Sequence, residues 1–164
     1  MPGLSHIDAQ NLPTMVDIGG KKPTRREAIA QTLVILPPEI LACLTPEGEV
    51  LGPKGPVFQT AIIAGTMAVK RTHDLIPFCH PLPIENCKIE IEFYSENQIA
   101  IRCSVCVTHK TGVEMEALTG ATVAALTVYD MCKALSHLIV IQETRLLSKT
   151  GGKCDYQASE DTPS

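Results

Sequence analysis

The sequence predicts an α+β sandwich in which an antiparallel four-stranded sheet carries helices on one face, and three observations predict it. Residues 87–107 alternate apolar and polar side chains in two runs separated by Ser95-Glu96-Asn97, the mark of a hairpin with one buried face. Two stretches, 57–76 and 112–135, instead bring small and aliphatic residues back at three- and four-residue steps, the helical period. A β-prone run precedes the first of these helices and another follows the second.

Taken in order, residues 1–22 lack periodicity and are expected to form an extended or partly disordered arm, with Met15-Val16-Asp17-Ile18-Gly19-Gly20-Lys21 as a glycine-rich segment. Residues 23–150 are expected to form a single domain. The first strand is expected from Arg26 to Leu36, closing on Thr32-Leu33-Val34-Ile35-Leu36 before Pro37-Pro38 stops it, although its early alanines also suit a helix. A short helix follows over Pro38 to Leu44, then a turn-rich loop to Pro56 in which Lys54 stands on an exposed tip between Pro53 and Gly55. Ala61, Ile62, Gly65, Ala68, Val69 and Thr72 mark a helix from Val57 to Ile76, ended by Pro77. In the hairpin Cys87, Ile89, Ile91 and Phe93 face the core on one strand and Ile99, Ile101, Cys103, Val105 and Val107 on the other. After the 112–135 helix, Leu138 to Ser148 supplies the last strand, and residues 151–164 form a flexible tail ending Ala158-Ser159-Glu160-Asp161-Thr162-Pro163-Ser164. The order strand, helix, strand, strand, helix, strand is that of a split βαβ, ferredoxin-like sandwich.

A chain of 164 residues, 45% hydrophobic, suffices for one domain with a proper core. Its net charge of -4 argues against a general nucleic-acid binder. No apolar run approaches the ~20 residues needed to span a bilayer, and the N-terminus lacks the charged-then-apolar plan of a signal peptide. Cysteine occurs 7 times, an odd number, mostly in apolar runs, which points to a reducing cytoplasm rather than a disulfide framework. The cations are placed more tellingly than they are numbered. Lys21, Lys22, Arg25, Arg26, Lys54, Lys70, Arg71, Lys110, Lys149 and Lys153 fall largely in loops or at element ends, where cations meet anionic ligands.

The 112–135 helix carries no charge between Glu116 and Asp130 and is expected to be buried on most sides. Asp130 and Lys133 share a helical face, and the apolar neighbours Met131, Cys132, Ala134 and Leu135 favour a buried acid/base pair over a surface ion pair. Glu116 lies about 21 Å from Asp130 along the axis, so one small substrate cannot touch both on one helix. Either they serve different sites, or a symmetric oligomer brings in the far end of a second copy. Cys103-x-x-Cys106 cannot close on one zinc ion, because a strand sends the two to opposite faces. His80, in the stiff Pro77-Phe78-Cys79-His80-Pro81 loop, is placed to hydrogen-bond a ligand or move a proton near neutral pH. Lys149-Thr150-Gly151-Gly152-Lys153 either wraps an anion with backbone amides and two amines or belongs to a flexible tail.

Six segments, Met15-Val16-Asp17, Lys70-Arg71-Thr72, Leu75 to Leu82, Thr111 to Thr119, Tyr129 to Ala134 and Lys149 to Lys153, together resemble the molybdenum cofactor biosynthesis protein C family, the cyclic pyranopterin monophosphate synthases. The likeness runs from about residue 4 to 155. It implies an enzyme, a phosphorus-oxygen lyase, that takes cyclised dihydro-GTP from an upstream radical enzyme, rebuilds it into a pyranopterin, and closes a cyclic phosphate with loss of pyrophosphate. It also implies a ferredoxin-like subunit in a homohexamer built as a trimer of dimers, with sites between subunits. No cofactor is required, although a divalent ion can accompany the triphosphate. Carried over by position, Asp130 and Lys133 match the catalytic pair, and Phe78, Cys79, His80, Met115 and Glu116 match substrate-contact segments. Lys54, Lys70, Glu114 and Arg26 match further substrate-binding positions. The chain departs from the family at Phe78, where leucine is usual, and at Gly120, where alanine is expected and where glycine should cost the helix up to about 1 kcal/mol.

Two other classes compete with this reading. An oligomeric nucleotide-sensing module would use the lysines and Glu116 but gives no reason to pair Asp130 with Lys133. A thiol or metal protein, suggested by the cysteines, predicts bound metal or a low-pKa thiol.

Overall fold

The structure is a computed structural model that describes residues 7–8 and 10–159. The disorder expected for residues 1–6 and 160–164 lies outside the described residues. Strands β1 (Thr24–Ile35), β4 (Asn86–Ser95), β5 (Gln98–His109) and β6 (Val140–Thr150) form one sheet with a short β7 (Tyr156–Gln157), in the order β4-β5-β1-β6-β7. Every neighbouring pair is antiparallel. The sheet therefore has five strands rather than the expected four, because the chain after Gly152 turns back and pairs Tyr156 with Lys149 and Gln157 with Ser148. A separate two-stranded hairpin, β2 (Leu51–Gly52) with β3 (Gly55–Pro56), lifts Lys54 on its turn.

Alternation decides which face is covered. On β1 Ala28, Ala30, Thr32 and Val34, and on β5 Ile99, Ile101, Cys103, Val105 and Val107, are each at most 3% exposed. Two long helices cover that face, α2 (Val57–Lys70) and α4 (Glu114–Cys132), joined in the core by Val57, Phe58, Ala61 and Val69 from the first and Ala117, Ala121, Ala124, Ala125 and Val128 from the second. Among the described residues no helix is long and apolar enough to cross a membrane.

The helix boundaries differ from expectation in instructive ways. The helix after Pro37 is a single turn, α1 (Pro38–Leu41). The helix expected to run to Ile76 breaks at Arg71, whose φ of -121° and ψ of 18° are not helical. Its amide bonds to the Ala68 carbonyl, three residues back, at 3.0 Å, tightening the last turn. The chain restarts as α3 (Thr72–Leu75). Buried Thr72 contributes, since its hydroxyl donates back to the Ala68 and Val69 carbonyls at 3.1 and 3.2 Å. The last strand begins at Val140 rather than Leu138, and Glu143 takes a φ of 50° within it.

Small residues set how closely α2 and α4 approach. A Cβ on Gly65 would stand 2.8 Å from the Gly120 carbonyl oxygen and 3.1 Å from Ala124 Cβ, and would collide with Ile89. A Cβ on Gly120 would stand 2.6 Å from both Cys103 Sγ and Val69 Cγ2. The glycine that costs α4 helical propensity thus lets it lie against both α2 and the sheet. Gly65→Ala, which in an open helix would stabilise by about 1 kcal/mol, should here destabilise by about 1–3 kcal/mol through overpacking. Denaturant unfolding of the variant checks this, and a gain in stability would show that the helices are not in such close contact.

Candidate functional site

Most of the candidate side chains gather at the two ends of α4. At its N-terminal end a cleft of about 530 Å³ is lined by Phe78, Cys79, His80, Met115 and Glu116, the residues singled out from the sequence, together with Val16 and Ile18 of the N-terminal arm. A second cleft of about 310 Å³ is lined by Arg26, Lys110 and Lys149, and the two share Lys21, Gly112, Glu114 and Lys153. The result is one groove, apolar toward the Phe78-Cys79-His80 loop and cationic toward β1 and β6.

Several contacts fix that groove. The arm is held across it by His80, whose Nε2 lies 2.9 Å from the Val16 carbonyl, and by Lys110, whose Nζ donates to the Gly19 carbonyl at 2.7 Å. A carbonyl only accepts, so His80 carries its proton on Nε2, and in the neutral ring Nδ1 is the acceptor. Lys149 pairs with Glu114 at 3.0 Å, and that carboxylate raises the pKa of the lysine. Arg26 reaches the Lys110 carbonyl through Nη2 at 3.4 Å, while its buried Nε has no hydrogen-bond partner. Gly151, with φ of 80°, lies so close to the Arg25 carbonyl that a side chain would collide with it. Its carbonyl accepts from Thr24 Oγ1 at 2.7 Å and its amide donates to Asp155 Oδ1 at 3.1 Å. The Lys149–Lys153 turn is therefore strapped to β1 rather than loose, with the Gly151 amide already taken by the Asp155 carboxylate. Glu116 is only 4% exposed, and burial pushes its carboxyl up to about 7, with Glu114 adding to the effect.

At the other end of α4, Asp130 sits between two amines. Lys133 Nζ is 2.7 Å from Oδ1 and Lys54 Nζ is 2.7 Å from Oδ2. Lys133, then Lys54, hold the Asp130 carboxyl down at about 2, and Asp130 in turn raises Lys133. Lys54 arrives because the β2–β3 turn rests on α4: a Cβ on Gly52 would stand 3.2 Å from the Met131 carbonyl. The expectation of a buried pair is corrected here. The side chains of Asp130, Lys133 and Lys54 are 52%, 47% and 52% exposed in the single chain. Met131 and Cys132 are buried at 5% and 0%, because they occupy the inward arc of the helix while residues 130 and 133 share the outward one. Apolar neighbours in sequence did not mean apolar neighbours in space.

The structure thus joins Phe78, Cys79, His80, Met115, Glu116, Glu114 and Arg26 in one groove and Lys54, Asp130 and Lys133 in a second cluster. Lys70 is exposed at the end of α2 and lines neither cleft. Lys21 and Lys110, counted among the loop cations but not assigned to a site, line the groove. Their signal was position, since Lys110 precedes the first turn of α4 and Lys21 follows the glycine-rich arm. Cys103 and Cys106 lie three residues apart on β5, on opposite faces of the sheet, and none of the cysteines is disulfide-bonded.

A family model described as the MoaC family matches residues 15–152. The chain belongs to the MoaC family. It is 58% identical over 157 residues to a cyclic pyranopterin monophosphate synthase of Xanthomonas oryzae, covering 96% of this chain and 94% of that one. A protein of the same name from Xanthomonas campestris is 56% identical over 156 residues, covering 95% and 94%. The MoaC sequence also recurs inside longer proteins. A molybdenum cofactor biosynthesis bifunctional protein of Synechocystis is 54% identical over 155 residues, covering 92% of this chain but 44% of its own length. The matched MoaC span contains both clusters apart from Lys153 and Cys154.

Burial of Glu116 has a pH signature. Its pKa is raised on folding, so the native state holds the proton between the ordinary value of 4.5 and about 7. Stability from this group is complete below 4.5 and is lost as pH rises through about 7. Glu116→Gln should remove that decline, gaining up to about 3 kcal/mol relative to the parent between pH 4 and pH 8. Urea unfolding of both proteins across that range checks it, and parallel pH curves would contradict the assignment.

Proposed function

We propose that this chain converts cyclised dihydro-GTP into cyclic pyranopterin monophosphate with release of pyrophosphate, as a step of molybdenum cofactor biosynthesis. Its identity to proteins named for that synthase, over nearly their whole length, supports the activity. Closing a cyclic phosphate with loss of pyrophosphate exchanges one bond of the α-phosphorus for another, from the pyrophosphate oxygen to a sugar hydroxyl. Such a step needs cations on the departing charge and a proton donor and acceptor for the ring chemistry. Arg26, Lys21, Lys110, Lys149 and Lys153 hold the triphosphate, and His80 and Glu116 grip the guanine-derived ring and the sugar. Lys133 shuttles protons, with Asp130 holding and tuning its ammonium and Lys54 bracing Asp130 from the other side. The reading requires no cofactor, and a divalent ion can travel with the triphosphate.

The observation that carries the arrangement is the ion triad Lys54–Asp130–Lys133 at the opposite end of α4 from the groove, about 21 Å from Glu116. The groove holds the phosphate-binding cations but not the Lys133–Asp130 pair, which stands at the far end of the same helix, so in this reading the working site combines the groove of one subunit with the triad of another. A covering subunit also supplies the desolvation that an isolated chain does not give Lys133. We assign a homohexamer, a trimer of dimers, in the cytoplasm, fed by a radical enzyme and binding neither nucleic acid nor membrane. The order of the four long strands, β4-β5-β1-β6, supports a ferredoxin-like subunit.

Incubation with cyclised dihydro-GTP should release pyrophosphate, and Lys133→Ala should reduce that release by at least about a hundredfold without changing the circular dichroism spectrum. Wild-type turnover by the variant would remove Lys133 from the mechanism. Binding of the nucleotide without any release by the parent protein would instead favour the nucleotide-sensing module.

A further inference from the structure

Helix α2 starts without a cap of its own. Its N-cap is Pro56, which provides no side-chain hydrogen bond. The first free amides are taken by a residue well upstream, Glu49. Its Oε1 accepts from Phe58 N at 2.7 Å and from Val50 N at 2.8 Å, and its Oε2 accepts from Gln59 N at 3.0 Å. A carboxylate bonded by backbone amides at a helix N-terminus is favoured by charge-assisted bonding and by the helix dipole.

The same residue is anchored behind. Its amide donates to Thr45 Oγ1 at 3.3 Å, and its carbonyl accepts from Thr45 N at 2.7 Å. The Val57 amide bonds to the Val50 carbonyl at 2.9 Å and the Leu51 amide to the Cys43 carbonyl at 3.1 Å. Residues 49–58 are therefore closed into a bracket whose two ends meet on one carboxylate, with Lys54 at the tip. Glu49 also lies close enough to the last turn of α4 that its charge, after burial and Cys43, helps push the Cys132 thiol up to about 11.

We propose that Glu49 is a positioning residue for the reaction: by closing this bracket it holds the Lys54 ammonium on Asp130, 2.7 Å away. The inference rests on the proposed role of Lys54 in the active site. Without the carboxylate, the hairpin keeps its backbone bonds and the packing of Val50 and Gly52 but loses the side-chain tie to the first turn of α2, and the ammonium at its tip is held less tightly on Asp130.

A double-mutant cycle on pyrophosphate release from cyclised dihydro-GTP tests it. Glu49→Ala should lower kcat roughly ten- to hundredfold in the parent, and by less than about twofold in a Lys54→Ala background, because a positioning residue has nothing left to position there. An equal loss in both backgrounds would mean that Glu49 acts only on general stability, and would overturn the proposal. If Lys54→Ala alone keeps full kcat, the role of Lys54 fails, and this inference falls with it; that outcome is distinct from the additive one. Should Glu49→Ala not fold, Glu49→Gln, which keeps an oxygen for Phe58 and Val50 but loses the acceptor for Gln59, enters the same cycle: its smaller loss of kcat should vanish in the Lys54→Ala background, and an equal loss in both backgrounds overturns the proposal.

Discussion

Helix α4 has no charged side chain between Glu116 and Asp130, and that interval constrains everything around it. A rod made largely of alanine, valine, leucine and threonine can lie against a sheet on one side and a second helix on another, and the Gly65–Gly120 crossing lets it do so at close range. Ionisable groups are then excluded from the middle and confined to the ends. The core and the candidate site are two consequences of one sequence pattern: the charge-free span packs, and its ends carry the charged groups to which chemistry is assigned.

The two ends differ electrostatically. Around the first turn, Glu116 is enclosed and its carboxyl drifts toward neutrality, while the lysines and Arg26 stand a little further out in a groove open to solvent. Around the last turn, Asp130 is firmly ionised by two amines yet half exposed. Exposed ion pairs contribute little to stability, because water competes for both partners. Three charges held at 2.7 Å on a surface are therefore better explained by what they do once covered than by what they contribute to folding. The proposed covering subunit would strengthen each interaction, while its desolvation would pull the Lys133 pKa down against Asp130, which raises it.

Much of this was legible in the sequence, for identifiable reasons. Period-two alternation in 87–107 and the small-residue spacing of 112–135 have few alternative explanations, and β4, β5 and α4 fall where those patterns put them. The Asp130–Lys133 pairing and the axial distance from Glu116 follow from helix geometry alone. What was not legible depends on contacts distant in the chain. Burial of Asp130 and Lys133 was inferred from Met131 and Cys132, but helical neighbours point in different directions. The fifth strand comes from two residues beyond a glycine pair, too few to show a period. Lys21 and Lys110 enter the groove because His80 and Lys110 tie the arm across it, a pairing that no local pattern encodes.

The central claim is that one active site draws its phosphate grip and its acid/base pair from different copies of the chain. Mixing subunits tests it most directly. Lys133→Ala and Lys149→Ala proteins, each inactive alone, should regain about a quarter of the parental pyrophosphate release when unfolded together and reassembled at equal ratio, since about a quarter of the sites then receive both intact halves. A mixture as inactive as its two parents would contradict the account.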